Sequence, residues 1–527
     1  MDGKGRQARA AVGNIGSYDK ESPGDGGMIE REKAMQIGDL MMTSGVKFGT
    51  SGARGRVADM TDAICYSYTR GFLGHLFESH GLQGGDQVAL AGDYRDSTGR
   101  ILAACAQAVR DAGCEPLYCG RIPAPAVAAF AFARSMASIM VTGSHIPDDR
   151  NGIKFNLPAG EILKDDEAGI AHQPVIIPPG VFTDAGAFQS GAPPLPPLMD
   201  DAQAAYRQRF LDFFPSDCLS GLRIGLYEHS TVARDPFYEI LSGLGAQVTK
   251  LGFSERFVPV DTEAIRPEDW VLARDWCAGG DFDALVSADG DGDRPLLADA
   301  SGNWLRGDVV GILCARALGA EAIATPVSCN TAVDRMADFS RVFRTRIGSP
   351  YVIAGMKTLI DEGYRPVVGY EANGGFLIAS CIERDGRLLP ALPTRDAAIV
   401  AVAVLADAKA RGLSLAQLHA DLPSRFTESD RIKEFPLELG RERLGAFNRG
   451  DQEADLVAFN QAFGDHFAPA VAIDHTDGVR ASLSNGEILH LRPSGNAPEL
   501  RAYTEADSAE RAAEMNRRCM GVLQSWL

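Results

Sequence analysis

The sequence predicts an α/β fold: three consecutive α/β domains with mixed, mostly parallel sheets, followed by a smaller C-terminal α+β domain. Three observations carry this. From about residue 45 onward, apolar runs of four to seven residues alternate with helix-like stretches, the rhythm of buried strands and the helices that cover them. That rhythm breaks at "VIIPPGVFTDAGAFQSGAPPLPPL", residues 175 to 198, where proline and glycine mark a boundary. It then restarts, and restarts again after residue 307. The last hundred residues change character, with few long helices and more strand-like runs such as "VRASLSNGEILHLRPSG" and "ELRAYTEA".

In order, the helix-like "DAICYSYTRGFLGHLFESHG" leads to the strand "QVALAG", and "GRILAACAQAVRDAGC" leads to "EPLYCG". Next come the helical "PAPAVAAFAFARS" and the strand "ASIMVTG". The second unit reads strand "LRIGLYEH", helix "ARDPFYEILSGLG", strand "AQVTKLG" and strand "FDALVSADGDGDR". The third reads "DVVGILCARALG", "EAIATPVSC" and "RPVVGYEANGGFLIA". The expected domains are 45–198, 199–307, 308–425 and 426–527, each of ordinary domain size. Residues 1–44, Gly-rich and polar at the start, are expected to be a disordered extension. In such sheets the chemistry sits on loops leaving the carboxyl ends of strands.

Bulk properties exclude some classes. A chain of 527 residues is too long for one core, and roughly three to five domains is the expected range. With 52 basic and 70 acidic side chains the net charge is −18 and no basic stripe is present. Nucleic acid is therefore not an expected partner. No apolar run approaches the ~20 residues a membrane helix needs, and residues 1–27 lack the apolar core of a secretory signal. Ten scattered cysteines form no CxxC pair, which fits thiols in a reducing compartment. Cytoplasmic residence is expected; oligomeric state is not readable.

Four loops bear chemistry. "VTGSHIPDDRNGIKF", residues 141 to 155, puts Ser144 beside His145 just past a buried strand. It reads as a turn serine bonding nearby backbone, or as a nucleophile held out on a loop. "SADGDGDRP", residues 287 to 295, alternates Asp289, Asp291 and Asp293 with glycines that let the carboxylates converge. Three close carboxylates repel unless a cation lies among them, and hard oxygens suit Mg²⁺ or Ca²⁺; an acidic surface turn is the other reading. The run is no EF-hand, because Ala300 stands where the bidentate glutamate belongs. "GYEANGGF", residues 369 to 376, offers Glu371 and Asn373 to sugar hydroxyls on a Gly-rich loop. "LRPSGNAPELR", residues 491 to 501, offers Arg492, Ser494, Gly495 and Asn496 to a phosphate, unless it is turn punctuation.

Together and in this order the four loops resemble those of the α-D-phosphohexomutase family, which includes phosphomannomutases and phosphoglucomutases. The resemblance starts at "KFGTSGARG", close to the family's FGTSGxRG, and runs to the C-terminus. The family's T-A-S-H-N-P becomes Thr142-Gly143-Ser144-His145-Ile146-Pro147, and DGDGDR is identical. GExSGx becomes "GYEANGG", and RPSGTEP becomes "RPSGNAP". Asn373 replaces the usual serine, Gly375 falls where some members carry a histidine, and Asn496 replaces threonine. These departures bear on the choice of sugar rather than on the reaction.

The resemblance implies four domains around a central cleft and reversible phosphoryl transfer between C1 and C6 of a hexose phosphate. Ser144 would carry the phosphate; that group, with Asp289, Asp291 and Asp293, would bind Mg²⁺. Arg294 would neutralise charge, Lys154 would manage proton transfer, and His145 would support the loop. Arg54 and Ser51 would face the cleft. Arg492, Ser494, Gly495 and Asn496 would grip the non-reacting phosphate while Glu371 and Asn373 hold the sugar. The implied partners are hexose phosphates and a hexose 1,6-bisphosphate that turns end over end, with mannose favoured over glucose. A phosphoglucomutase or a dual phosphomannomutase/phosphoglucomutase is the nearest alternative. A metal-dependent sugar phosphatase or a non-catalytic sugar-phosphate binder are the alternatives of another class.

Overall fold

The computed structural model describes residues 35–49, 52–494 and 498–527. One strand plan occurs three times. In the first unit Glu115–Tyr118, Gln87–Gly92 and Ala137–Val141 lie side by side and parallel, and Arg150–Leu157 then returns antiparallel to Ala137–Val141. The second unit repeats this with Gln247–Phe253, Arg223–His229 and Ala284–Ala288, closed by antiparallel Pro295–Asp299. The third does so with Arg341–Thr345, Ala322–Pro326 and Val367–Tyr370, closed by Phe376–Ile378. Each of the first three chemistry-bearing loops is the turn between the last two strands of its sheet. The central strands run apolar without alternation because helices cover both faces; Ala137–Val141 and Ala284–Ala288 are buried throughout.

The sheets are mixed, and parallel pairing leads only in the second and third. In the first, Ala53–Arg56 adds antiparallel to Arg150–Leu157, and Lys47–Phe48 adds beyond it. Lys47–Phe48 and Ala53–Arg56 therefore extend the sheet of the first unit. In the register, Arg54 stands opposite Gly152, two residues from Lys154. Side chains alternate faces along a strand, so Arg54 and Lys154 share one face of the sheet.

Residues 1–34 of the expected N-terminal extension lie outside the described residues. Residues 35–44 depart from that expectation. Met35–Gln36 pairs with Pro174–Val175, and Ile37–Thr43 forms a helix that buries Ile37 and Leu40. Their i, i+3 spacing puts both on one face, a short apolar period masked by the polar sequence before it.

The fourth unit is a five-stranded antiparallel sheet ordered Phe426–Lys433, Glu499–Ala506, Ile488–Pro493, Val479–Leu483, Ala470–Asp474. Val479–Leu483 alternates buried and half-buried residues, as a one-sided sheet does. Against expectation it carries a long helix, Ala509–Gln524, with Ala512, Met515, Cys519 and Leu523 buried on one stripe. The charges around that stripe hid its period. One continuous apolar cluster joins the first three units, through residues such as Met140, Phe210, Ile240, Leu313 and Val400. The fourth unit has a core of its own.

Candidate active site

Ser144 is fully buried at the turn between Ala137–Val141 and Arg150–Leu157, with φ of +55°. That left-handed backbone costs a non-glycine residue about 1–3 kcal/mol and persists only where neighbours enforce it. The enforcers are Asp93 and Arg95. Asp93 Oδ2 accepts from Thr142 Oγ1 (2.8 Å), Gly143 N (3.2 Å) and Arg95 Nε (3.1 Å). Arg95 is 1 % exposed and donates to the carbonyls of Ser144, Ile146, Pro147 and Arg150. Phe257 stacks 3.8 Å from its guanidinium carbon. A Cβ on Gly143 would lie 2.5 Å from that carbon, so glycine, not the family's alanine, fits beside this arginine.

The two glycines between the aspartates act differently: a Cβ on Gly290 would lie 2.7 Å from the Ser144 carbonyl oxygen, whereas Gly292 supplies the backbone turn. Gly292 takes φ of +70°, and Asp289, Asp291 and Asp293 are all buried with carboxylate oxygens within 4.8 Å of one another. Ser144 Oγ donates to Asp289 Oδ2 at 2.6 Å. Burial, then Asp291 and Asp293, push the Asp289 carboxyl well above the usual carboxylate range. Lys154 Nζ donates to Asp291 Oδ2 and Asp293 Oδ2, both at 2.6 Å. Burial alone would lower the lysine, but the two aspartates outweigh it and raise its pKa. Asp293 moves the other way: burial opposes ionisation, but Arg395, Lys154 and Arg294 hold it strongly ionised.

His145 behaves differently from a catalytic base. Arg294 Nη1 donates to His145 Nδ1 at 2.8 Å. A guanidinium has only donors, so Nδ1 is the bare nitrogen and its lone pair is engaged. Burial, reinforced by Arg294, lowers the imidazole to about 3. Ser144 Oγ lies 3.3 Å from the same nitrogen, but its one proton goes to Asp289. No Ser–His pair forms. Arg54 stays cationic although burial and Arg294 lower it to about 10.

The sequence reading missed four residues here. Arg95 is one and Asp261, the acidic neighbour of His145 and Arg294, is another. The third is Arg395, buried just before the helix Ala397–Arg411. Its Nη2 lies 3.0 Å from Asp293 Oδ2 and its Nη1 3.3 Å from Glu371 Oε2, so it joins the metal loop to the sugar loop. A Cβ on Gly375 would meet Arg395 Cδ at 2.4 Å, which leaves no room there for a histidine. Asn373 Oδ1 accepts from Gly375 N (2.9 Å), bracing its own turn. The fourth is Arg501, directly opposite Arg492 across the hairpin.

Arg492 and Ser494 stand apart from this centre. They line a cavity of about 490 Å³ between the third and fourth units with Arg346, Arg441 and His475. Arg492 Nε donates to Asp477 Oδ1 at 2.9 Å. Ser51, Gly495 and Asn496 lie outside the described residues.

Buried oxygens test the fit of a cation. Asp291 Oδ1 and Asp293 Oδ1 are buried without a hydrogen-bond partner among the described residues, Asp293 Oδ1 having only the Arg294 guanidinium 3.7 Å away, and buried carboxylate oxygens that lack hydrogen bonds are costly. Three hard oxygen donors suit a small divalent ion. The donor set fits magnesium.

Buried aspartates, a lysine and arginines surround Ser144, and such paired charge suits the oxygens of a phosphoryl group. The centre is made to handle a phosphoryl group, and the protein is a phosphotransferase on a multidomain α/β fold. Comparison with known proteins narrows this. The phosphoglucomutase/phosphomannomutase family matches in three blocks: its alpha/beta/alpha domain I over residues 45–173, its alpha/beta/alpha domain III over 306–426, and its C-terminal domain over 446–521. A phosphomannomutase of Salmonella muenchen is 43% identical over 495 residues, covering 93% of this chain and 98% of that one. One of Sinorhizobium fredii is 40% identical, covering 91% and 99%. The crystal structure of a phosphoglucomutase/phosphomannomutase family protein from Burkholderia thailandensis superposes with a TM-score of 0.67 at 20% identity, covering 90% of this chain and 96% of that one. The chain belongs to this family, the α-D-phosphohexomutases, and is a phosphohexomutase, an isomerase of carbohydrate metabolism.

Proposed function

We propose that the mutase works through a phosphorylated Ser144 and a hexose 1,6-bisphosphate, with mannose phosphates as preferred substrates. The observation that carries this is Ser144 Oγ, held on a strained turn 2.6 Å from Asp289 in a ring of buried charge. The serine ester P–O bond breaks as a bond forms from phosphorus to the sugar oxygen, and the return transfer takes the other phosphate of the turned bisphosphate. Lys154, held protonated, is the counter-charge at the reacting oxygens: it gives its proton to the departing serine oxygen and regains one from the attacking sugar hydroxyl, so that the hydroxyl proton ends on Ser144. Arg294 and Arg54 offset charge on the phosphoryl oxygens. Asp289, Asp291 and Asp293 would hold Mg²⁺, which when bound draws off charge from the phosphoryl oxygens. His145, fixed by Arg294, braces the loop.

Glu371, aimed by Arg395, holds sugar hydroxyls with Asn373. Arg492, Ser494, Gly495 and Asn496 grip the non-reacting phosphate; the three arginines around the 490 Å³ cavity support this. Ser51 is assigned to the cleft through the opening motif. The units are taken as domains meeting near residues 198, 307 and 425. Ten free cysteines support cytoplasmic residence; among the described residues no helix is long and apolar enough to cross a membrane. The two phosphomannomutases at 40–43% identity support mannose. The test is steady-state turnover on mannose 1-phosphate and glucose 1-phosphate, with and without EDTA, in the native protein and Ser144→Ala. The expected result is faster turnover on mannose, restored by Mg²⁺ after EDTA and absent in the alanine variant. Faster turnover on glucose would reassign the sugar, and full activity in Ser144→Ala would remove the nucleophile.

A further inference from the structure

On the first unit, away from the cleft, the helix Asp62–Ser79 packs against the helix Lys164–Ala171. His75 lies in the first helix, His80 is its C-cap, and Asp166 lies in the first turn of the second. The Nε2 atoms of the two histidines are 3.3 Å apart, and each is 3.1 Å from Asp166 Oδ1. Protons fit this triangle poorly: both N–H groups would converge on one oxygen while facing each other. A single cation would satisfy all three lone pairs.

The dimensions say which cation. Ligand bonds of about 2.0–2.1 Å give edges of about 3.3–3.4 Å in a tetrahedron and about 2.8–3.0 Å in an octahedron. The two 3.1 Å edges fall between these ranges and the 3.3 Å edge between the imidazoles matches the tetrahedron, all within reach of one small ion. Two imidazoles and a carboxylate favour zinc and its transition-metal neighbours over magnesium. The ligands are also held from behind. Leu163 N donates to Asp166 Oδ2 at 2.8 Å, and a Cβ on Gly169 would lie 2.4 Å from His75 Cε1, so the imidazole rests against bare backbone. Support of this kind orients ligands for a metal. His75 is buried, Asp166 half-buried and His80 exposed, which leaves the fourth position to solvent.

We propose that His75, His80 and Asp166 form a second metal site, for zinc or a related divalent transition ion, that clips these two helices together. The clipped helix begins three residues after Glu161, whose carboxylate accepts from Ser349 Oγ (3.1 Å) and Thr394 Oγ1 (2.7 Å) of the third unit. The ion thus steadies the segment that ties the first unit to the third.

The test uses the full chain, stripped with chelator and held in excess Mg²⁺ so that oxygen-only sites are filled. Co²⁺ is titrated in as the spectroscopic probe and Zn²⁺ as competitor. One equivalent of Co²⁺ should give the intense visible bands of four-coordination, Zn²⁺ should abolish them, and Zn²⁺ should raise the melting temperature. His80→Ala, an exposed change, should keep mutase turnover but weaken Co²⁺ binding by more than about a hundredfold, beyond the ~10- to 100-fold that loss of an outer-shell partner costs. Asp291→Ala should keep the bands, which separates this site from the metal loop. Bands that never form, that survive His80→Ala, or that vanish with Asp291→Ala would overturn the site. Melting unmoved by zinc would overturn the clip.

Discussion

The first three units and the fourth are built on opposite plans. The three are joined by one continuous apolar cluster and repeat one four-strand plan, and each presents its loop at the same hairpin turn. The fourth has a separate core and an antiparallel sheet, and ion pairs such as Arg425 with Glu505 (2.6 Å) and Asp507 (2.8 Å) tie its last strand and the following turn to the connecting segment. Within the body, bonds cross between loops: Ser144 to Asp289, Lys154 to Asp291 and Asp293, Arg395 to Asp293 and Glu371. The lesson is a division of labour. Loops whose side chains bond to one another are fixed by a common core, while the proposed phosphate grip sits on a unit tied to the body by polar contacts such as these ion pairs.

Three substitutions sharpen that contrast. Asp291→Ala, in the body, should lower kcat by on the order of 10²–10³, as loss of one transition-state charge partner does, with little change in KM. Kinetics at saturating Mg²⁺ check this, and an unchanged kcat would return the loop to an acidic turn. Arg492→Ala, in the fourth unit, should instead raise KM for mannose, glucose and N-acetylglucosamine phosphates alike. The expected loss is roughly 1.5–3 kcal/mol, or about ten- to a hundredfold, and more bisphosphate should leak into solution. If KM stays unchanged for all three sugars, the fourth unit does not grip phosphate. Gly143→Ala should have the smallest effect. Crowding the Arg95 guanidinium costs about 1–3 kcal/mol as overpacking does, seen as a lower thermal midpoint with a modest loss of kcat. A melting curve identical to that of the native protein would mean Arg95 does not enforce the turn.

Legibility followed the same divide. The strand–helix rhythm was readable, and so was the convergence of Ser144 with Asp289, Asp291 and Asp293, because each motif is contiguous and its chemistry local. Arg95, Asp261 and Arg395 were not, because each is a single charged residue whose meaning comes only from a partner far along the chain. Arg95 serves a loop some fifty residues on, and Arg395 answers Asp293 a hundred residues earlier. One signal was present: Gly143 and Gly375, where the family carries a larger residue in some members, each vacate space for one of these arginines. Sequence places Lys154 near the serine, but the two carboxylates that keep it charged come from a loop about 140 residues on.

The most direct test of the account is where the phosphoryl group goes. Enzyme stripped of phosphate and mixed with one equivalent of a hexose 1,6-bisphosphate should gain a single phosphoryl group, found by intact mass and mapped by peptide sequencing to Ser144, with one equivalent of hexose monophosphate released. Adding monophosphate should then remove it at a rate no slower than kcat. Label on any other residue, or turnover that proceeds while Ser144 stays unmodified, would contradict the account.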